Sequence, residues 1–507
     1  AVFADSEDPA TIEVTKGTAE LGLGTGSTYP DIGSALSAAV SGDVIEITDS
    51  SVYPENITFS ASNVTLRGSW DETPVIEGPS ASSSPVVSFA PGSTQSQIMD
   101  LIIVQNGTAA AVSVNDTYCE VVGLLILQNS DDNGVEVSMS DALVGGNRII
   151  YQGTSGVSAV YFSSATAGDN ARIGNNIIGS AWLYGVNFSG AATDPKIINN
   201  SIYQGGNSGL AYGIYFASGA TSVVIKNNIL MRGTSPSGES AIYMGAASTG
   251  LVESNARYNY YNANFLNGIT ETSSMNTDPM FASLITEYSS TAAASGNTVT
   301  TITDANTTPP WTGVDLTYGY IRITSGPAAG QTRRISSVSE PSISVERPFY
   351  AADADLDGAT YTVYNPHYLL LQPTSPVVDT GAPFPLYEDI TGKPRYMDGD
   401  GDQVSEIDRG AHEVDDGGAG PSSDTKIHDG GDGTWDTLQG DQGFNSNAVG
   451  GISYYDADAN GLWTSGEAVW AEVTYPGVFD AGIDTLIAGT APADQTSGSD
   501  LHLLFHD

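Results

Sequence analysis

One short unit recurs along the first half of this chain. It reads "GNRIIYQG" at 146–153, "GNNIIGS" at 174–180, "NNSIYQGG" at 199–206, "NNILMRG" at 227–233 and "SNARYNYYN" at 254–262. The leading asparagines, Asn147, Asn175, Asn199, Asn227 and Asn255, stand 28, 24, 28 and 28 residues apart. Two earlier runs, "MDLIIVQNG" and "VGLLILQNS", continue the register at an interval of 23. A period of 20–30 residues signals a solenoid. The units are short β-branched runs with almost no helical pattern, which predicts an all-β, right-handed parallel β-helix. Coils stack about 4.8 Å apart, so equivalent side chains form ladders. Ile149, Ile177, Ile202 and Ile229 are the expected interior aliphatics. An asparagine at the recurrent turn tolerates the left-handed conformation, and its amide can bond the next one in the stack. About nine coils predict a rod on the order of 45 Å long.

The open end of such a stack needs a cap, because it exposes unpaired strand edges. In "YPDIGSALSAAVSGDVIEI", Ile32, Leu36, Ala39 and Val40 have helical spacing and supply one. Residues 1–40 therefore read as an N-terminal strand and cap helix, and 41–283 as the β-helix. At 284–365 the repeat gives way to alternating segments, "GYIRITSGPAAGQTRRI" and "SISVERPFY", which predict a small inserted β domain holding Arg322, Arg333, Arg334 and Arg347. A closing segment of the β-helix follows at 366–414, then a Gly/Ser-rich linker at 415–424. Residues 425–507 read as a C-terminal β domain with calcium-type loops.

The chain "DPMF", "YLLLQPTSPVVDTGAP" and "DITGKPRYMDGDGDQVSEIDRGAHE" resembles the closing segment of secreted bacterial right-handed parallel β-helix proteins with a choice-of-anchor Q type domain. The resemblance covers about residues 25–283 and 366–413. It implies the β-helix fold and an extracellular or cell-surface location. Members of that group include chains that resemble polysaccharide lyases and large surface proteins.

Acids outnumber bases 59 to 16, for a net charge of −43. Phosphate binding needs clustered Lys and Arg, so nucleic acid is excluded as a partner. An anionic membrane surface is excluded for the same reason. No stretch reaches the roughly 18 apolar residues of a membrane span. The one cysteine, Cys119, lies in an apolar run and reads as a buried small hydrophobe. The chain begins "AVFADSEDPA", without Met, which fits either a secreted form after signal removal or a trimmed chain, and composition and architecture favour secretion.

The strongest chemical motif is "DADANGLWTSGE". Asp456, Asp458, Asn460, Leu462 and Glu467 match the spacing of a calcium loop, and Gly461 allows its sharp turn. The flanks "GISYY" and "AVWAEV" read as strands. A second Ca2+ set is expected at Asp398, Asp400, Asp402, Glu406 and Asp408, although Gln403 stands where a calcium loop has Gly. A lyase on this fold needs a basic residue as proton acceptor and further cations for uronate carboxylates. Arg172 and Lys196 share one phase of the repeat and Lys226 lies near it, against the plainer reading of solvated surface. Asp131 and Asp132 resemble part of a polygalacturonase motif, but its His and Arg-x-Lys elements are missing; all five histidines lie outside the repeats. Trp182, Tyr184, Tyr212 and Tyr215 fit either sugar stacking or packing on a flat face, and packing is the expectation.

The sequence therefore points first to a non-catalytic extracellular structural protein, a calcium-stabilised β-solenoid of a surface layer or self-assembling filament. Terminal strands at Thr11 to Thr15 and Leu501 to Phe505 would join copies head to tail by strand addition. The alternative is a polysaccharide lyase or glycan-binding β-helix acting on acidic polysaccharide.

Overall fold

The computed structural model describes residues 31–69, 74–80, 82–153, 157–164, 166–179, 182–205, 211–233, 240–260, 264–317, 319–349, 355–382, 389–390, 395 and 407–414, with further short strands outside them. Two compact units result, Ala1–Ala382 with Asp408–Glu413, and Pro383–Ile407 with Val414–Asp507.

The first unit is a parallel β-helix. Its three main sheets hold 12, 10 and 8 strands, and successive coils contribute a strand to each. Register explains the core. In the first sheet Ile45, Leu66, Ile98, Val121, Val144, Ile173, Ile197, Ile225 and Val252 stand one above the other, all fully buried. The third sheet adds an inward phenylalanine ladder, with ring centroids 4.4 Å apart for Phe162–Phe188 and 4.2 Å for Phe188–Phe216. Cys119 joins this core, and burial pushes its thiol pKa up to about 11. The helix Ile32–Ala38 covers the first coil with Ile32, Ala35 and Leu36. Asp31 caps it, and the Glu55 carboxylate accepts the Ile32 and Gly33 N–H groups at 3.0 and 2.9 Å. The helix stops at Ala38, so Val40, expected on its apolar face, is 64% exposed.

Two neighbouring residues divide the role expected of one asparagine. Asn175, Asn199 and Asn227 take the left-handed conformation, with φ of 56°, 54° and 55°. The amide ladder is built one residue later, from Asn147, Asn176, Asn200, Asn228 and Asn255. Each Nδ2 donates to the next Oδ1 at 2.9–3.0 Å. Each Oδ1 also accepts the main-chain N–H of the residue below it in the ladder at 3.0 Å. The same offset corrects the interior. Ile149, Ile178, Ile202 and Leu230 point inward, whereas Ile177 and Ile229 share the outer row with Arg148 and Ser201. A one-residue slip moves a side chain to the opposite face.

Ile177 and Ile229 are nonetheless buried, because the outer face of the second sheet is covered. Strands Ile102–Gln105 and Leu125–Gln128 are buried at every position. That is the pattern of a sheet packed on both faces. The insert, a six-stranded antiparallel sheet with its own core around Trp311 and Tyr361, covers one end. It is tied down by Arg322 to Glu77 at 2.9 Å and by Arg333 Nη1 to the Ser50 carbonyl at 2.9 Å. The closing segment covers the other end. Asn227 exchanges two 2.8 Å bonds with Ala382, and the Ala411 N–H donates to Ser201 Oγ at 2.9 Å. Arg409 donates to the Asn255 and Ser273 carbonyls, and its burial lowers its pKa to about 10.

The strand Thr11–Val14 is paired on both sides within its own chain, with Val44–Ile47 and Thr28–Tyr29. The second pairing covers only Glu13 and Val14. In the second unit Leu501–Phe505 is the edge of a four-stranded antiparallel sheet. The strands Gly451–Tyr455 and Val469–Glu472 of that sheet pair antiparallel.

Candidate functional site

The predicted site residues fall in three groups. Asp398, Asp400, Asp402, Glu406, Asp456, Asp458, Asn460, Leu462 and Glu467 lie outside the described residues. Asp408 is described and fully buried. Its Oδ1 accepts the Asp379 N–H at 2.7 Å, so the carboxylate pins the closing segment. Among the described residues no group of three or more His, Cys, Asp or Glu is placed to hold a metal.

The basic residues come together in part. Arg172 and Lys196 are register partners on the outer face of the first sheet. The Lys196 ammonium lies 3.6 Å from Asp194, an exposed pair worth little in water. Lys226 occupies the adjoining row, opposite Ile198. Its side chain is only 10% exposed and pairs with Glu253 of the next coil at 3.2 Å, which makes it a clamp between coils. Glu120 sits two coils before Arg172 in the same row. Burial raises its pKa, and the Arg172 charge pulls it back only in part. The carboxylates at 131 and 132 serve local structure: Asp131 accepts the Tyr151 hydroxyl, and Asp132 accepts the Asn133 N–H at 2.7 Å.

The aromatics divide by face. Trp182 is fully buried, 4.8 Å from Tyr151 between centroids. Tyr184, Tyr212 and Tyr215 stand on the outer face of the third sheet. Tyr243 and Phe265 join them, which the sequence reading missed. The signal was available: "GVNF", "GIYF" and "AIYM" align, with Asn187, Tyr215 and Tyr243 at the outward position. Centroids are 5.0 Å apart for Tyr184–Tyr215 and Tyr212–Tyr215, and 5.2 Å for Tyr215–Tyr243 and Tyr243–Phe265. The tyrosines are half-buried and Phe265 is 48% exposed. Earlier coils continue the row with Ser88, Ser113, Glu136 and Tyr161. The face therefore runs from hydroxyl and carboxylate groups at one end to a contiguous aromatic strip at the other. Such a surface presents apolar ring edges together with hydroxyl and carboxylate groups.

The site and the fold define a parallel β-helix with an outward aromatic ladder. No family model matches the chain, and no curated protein matches it. Several solved structures are similar in fold. Pectate lyase Pel9A is 12% identical, with 80% of this chain and 98% of that chain covered and a TM-score of 0.41. The Dettilon tailspike protein is 12% identical over 64% and 84%, at a TM-score of 0.31. The tailspike protein of E. coli bacteriophage HK620, solved in complex with a pentasaccharide, is 10% identical over 71% and 87%, at 0.27. Likeness at this level carries no argument about activity or ligand.

Proposed function

We propose that this chain is an extracellular or surface protein that binds an extended, neutral glycan along the outer face of its third sheet. The observation that carries this reading is the aromatic strip of Tyr184, Tyr212, Tyr215, Tyr243 and Phe265. Tyr215, Tyr243 and Phe265, on successive coils, stand 5.2 Å apart, and Tyr184 and Tyr212 stand 5.8 Å apart, on the scale of one sugar residue in an extended chain. The rings stack on one another, so their outer edges meet pyranose C–H groups, while tyrosine hydroxyls and Glu136 offer hydrogen bonds at the margins. A neutral glycan fits better than an acidic one, because a net charge of −43 repels polyanions and Lys196 and Lys226 are already ion-paired. This reading sets glycan binding ahead of the structural role that came first from sequence, and replaces the acidic polysaccharide expected there with a neutral one.

A structural role keeps two observations in its favour. The buried amide ladder and the doubly packed second sheet stiffen the rod whatever it binds. Calcium at 456–467 belongs to that reading.

Affinity electrophoresis in gels containing a neutral β-glucan, with polygalacturonate as the acidic comparison, tests the proposal. Retardation should occur with the neutral polymer and persist in salt. Tyr215→Ala and Tyr243→Ala should each weaken it by about 1–2 kcal/mol, roughly 5- to 30-fold. Salt-sensitive retardation by polygalacturonate alone, lost in Arg172→Ala, would transfer the function to the basic row.

A further inference from the structure

A cavity of about 350 Å³ lies between the insert and the outer face of the second sheet. Its floor is apolar, formed by Val104 and Leu127. Its wall is one face of the insert sheet, where register sets Glu287 beside Tyr364 and Arg322 beside Thr362. Gln152 and Asn129 close the rim from the β-helix side.

The polar inventory is mixed. Arg322 donates through Nη2 to Glu77 at 2.9 Å, while its Nη1 is buried with no hydrogen-bond partner among the described residues. A buried donor of this kind costs free energy unless a ligand or water meets it. Glu287 accepts the Gln152 amide. The Thr362 hydroxyl bonds Ser289 Oγ at 3.0 Å and Thr324 bonds Thr360 at 2.7 Å, and each hydroxyl keeps further acceptor capacity. Two carboxylates, Glu77 and Glu287, stand against one guanidinium, so an anion is not favoured. A neutral molecule with one apolar face and a ring of hydroxyls matches floor and wall together, and the volume lies within the range of small-molecule sites.

We propose that this cavity is a second binding site, for a single neutral pyranose or a polyol of that size. It stands apart from the third-sheet face and does not depend on it. The free edge of a branched glycan or a free monosaccharide presents the same chemistry.

Saturation-transfer NMR on the full chain, with D-glucose, D-galactose, D-mannose and D-galacturonate as separate probes, tests the site. At least one neutral sugar should bind saturably. Thr362→Leu, which adds bulk to the wall and removes a hydroxyl, should weaken that binding by about tenfold or more. Gln152→Ala at the rim should weaken it as well, and serves where Thr362→Leu loosens the insert. The proposal is overturned if no neutral sugar binds, if galacturonate alone binds, or if both variants keep the affinity of the parent.

Discussion

Asn200→Ala should cut the amide ladder at its centre. Asn200 Oδ1 accepts two bonds, from the Asn176 N–H at 3.0 Å and Asn176 Nδ2 at 2.9 Å. Its Nδ2 donates to the Ile173 and Ile198 carbonyls and to Asn228 Oδ1, at 3.0, 3.1 and 2.9 Å. The neighbouring amides survive in part. Asn176 Nδ2 keeps the Val144 carbonyl at 2.8 Å, and Asn228 Oδ1 keeps the Asn200 N–H at 3.0 Å. The Asn176 main-chain N–H is left buried without that acceptor, at a cost of about 1–3 kcal/mol, and the other lost bonds add roughly 1 kcal/mol each where no water replaces them. Allowing for partial relaxation, the sum is about 3–5 kcal/mol. Asn200→Asp should cost at least as much, because a carboxylate cannot donate. A solenoid need not unfold in two states, so a single unfolding free energy is a poor readout. Hydrogen exchange at the Asn176 amide, with urea denaturation followed by circular dichroism, reads the effect locally and globally. Unchanged protection at Asn176 together with a loss under about 1 kcal/mol would refute the argument that the ladder carries stability.

Gly179→Ala should loosen the closing segment by about 1–3 kcal/mol, because the added Cβ would lie 2.3 Å from the Tyr368 hydroxyl; faster proteolysis after residue 366 checks it. Glu287 has a pKa raised by burial, opposed by its bond to Gln152. A carboxyl whose folded pKa lies above its unfolded value contributes stability at low pH and loses it as pH rises through the folded pKa. Glu287→Gln should therefore flatten the melting profile of the insert just above the ordinary glutamate range, and a profile identical to the parent's counts against the assignment. Chelation of Ca2+ should lower the melting of the C-terminal sheet, and Asp456→Asn with Glu467→Gln should abolish that calcium effect in scanning calorimetry.

The repeat was readable because each coil uses the same local chemistry. Asparagine-containing turns, tandem aliphatics and a cap helix opened by Asp31 all act within a few residues of one another. The reading erred where two adjacent residues were equally suited to one role. In "NNII" and "NNIL", either asparagine can form the turn and either aliphatic can face inward, so Ile177 and Ile229 were placed on the wrong face. Tyr215 and Tyr243 were legible from the aligned "GIYF" and "AIYM". Phe265 lies outside those units, and its bridge to Tyr243 sets its place.

The sequence by itself determined that the chain stacks short coils about a buried aliphatic core, since a period of 24 to 28 residues of alternating strand and turn has no other way to cover its apolar side chains. Tertiary structure alone decided which face each coil presents and what covers it. Coil lengths vary, so phase is carried by main-chain pairing between coils and not by residue count. That pairing sets five aromatic rings in one solvent-facing strip and buries the second sheet beneath an insert and a closing segment drawn from far along the chain.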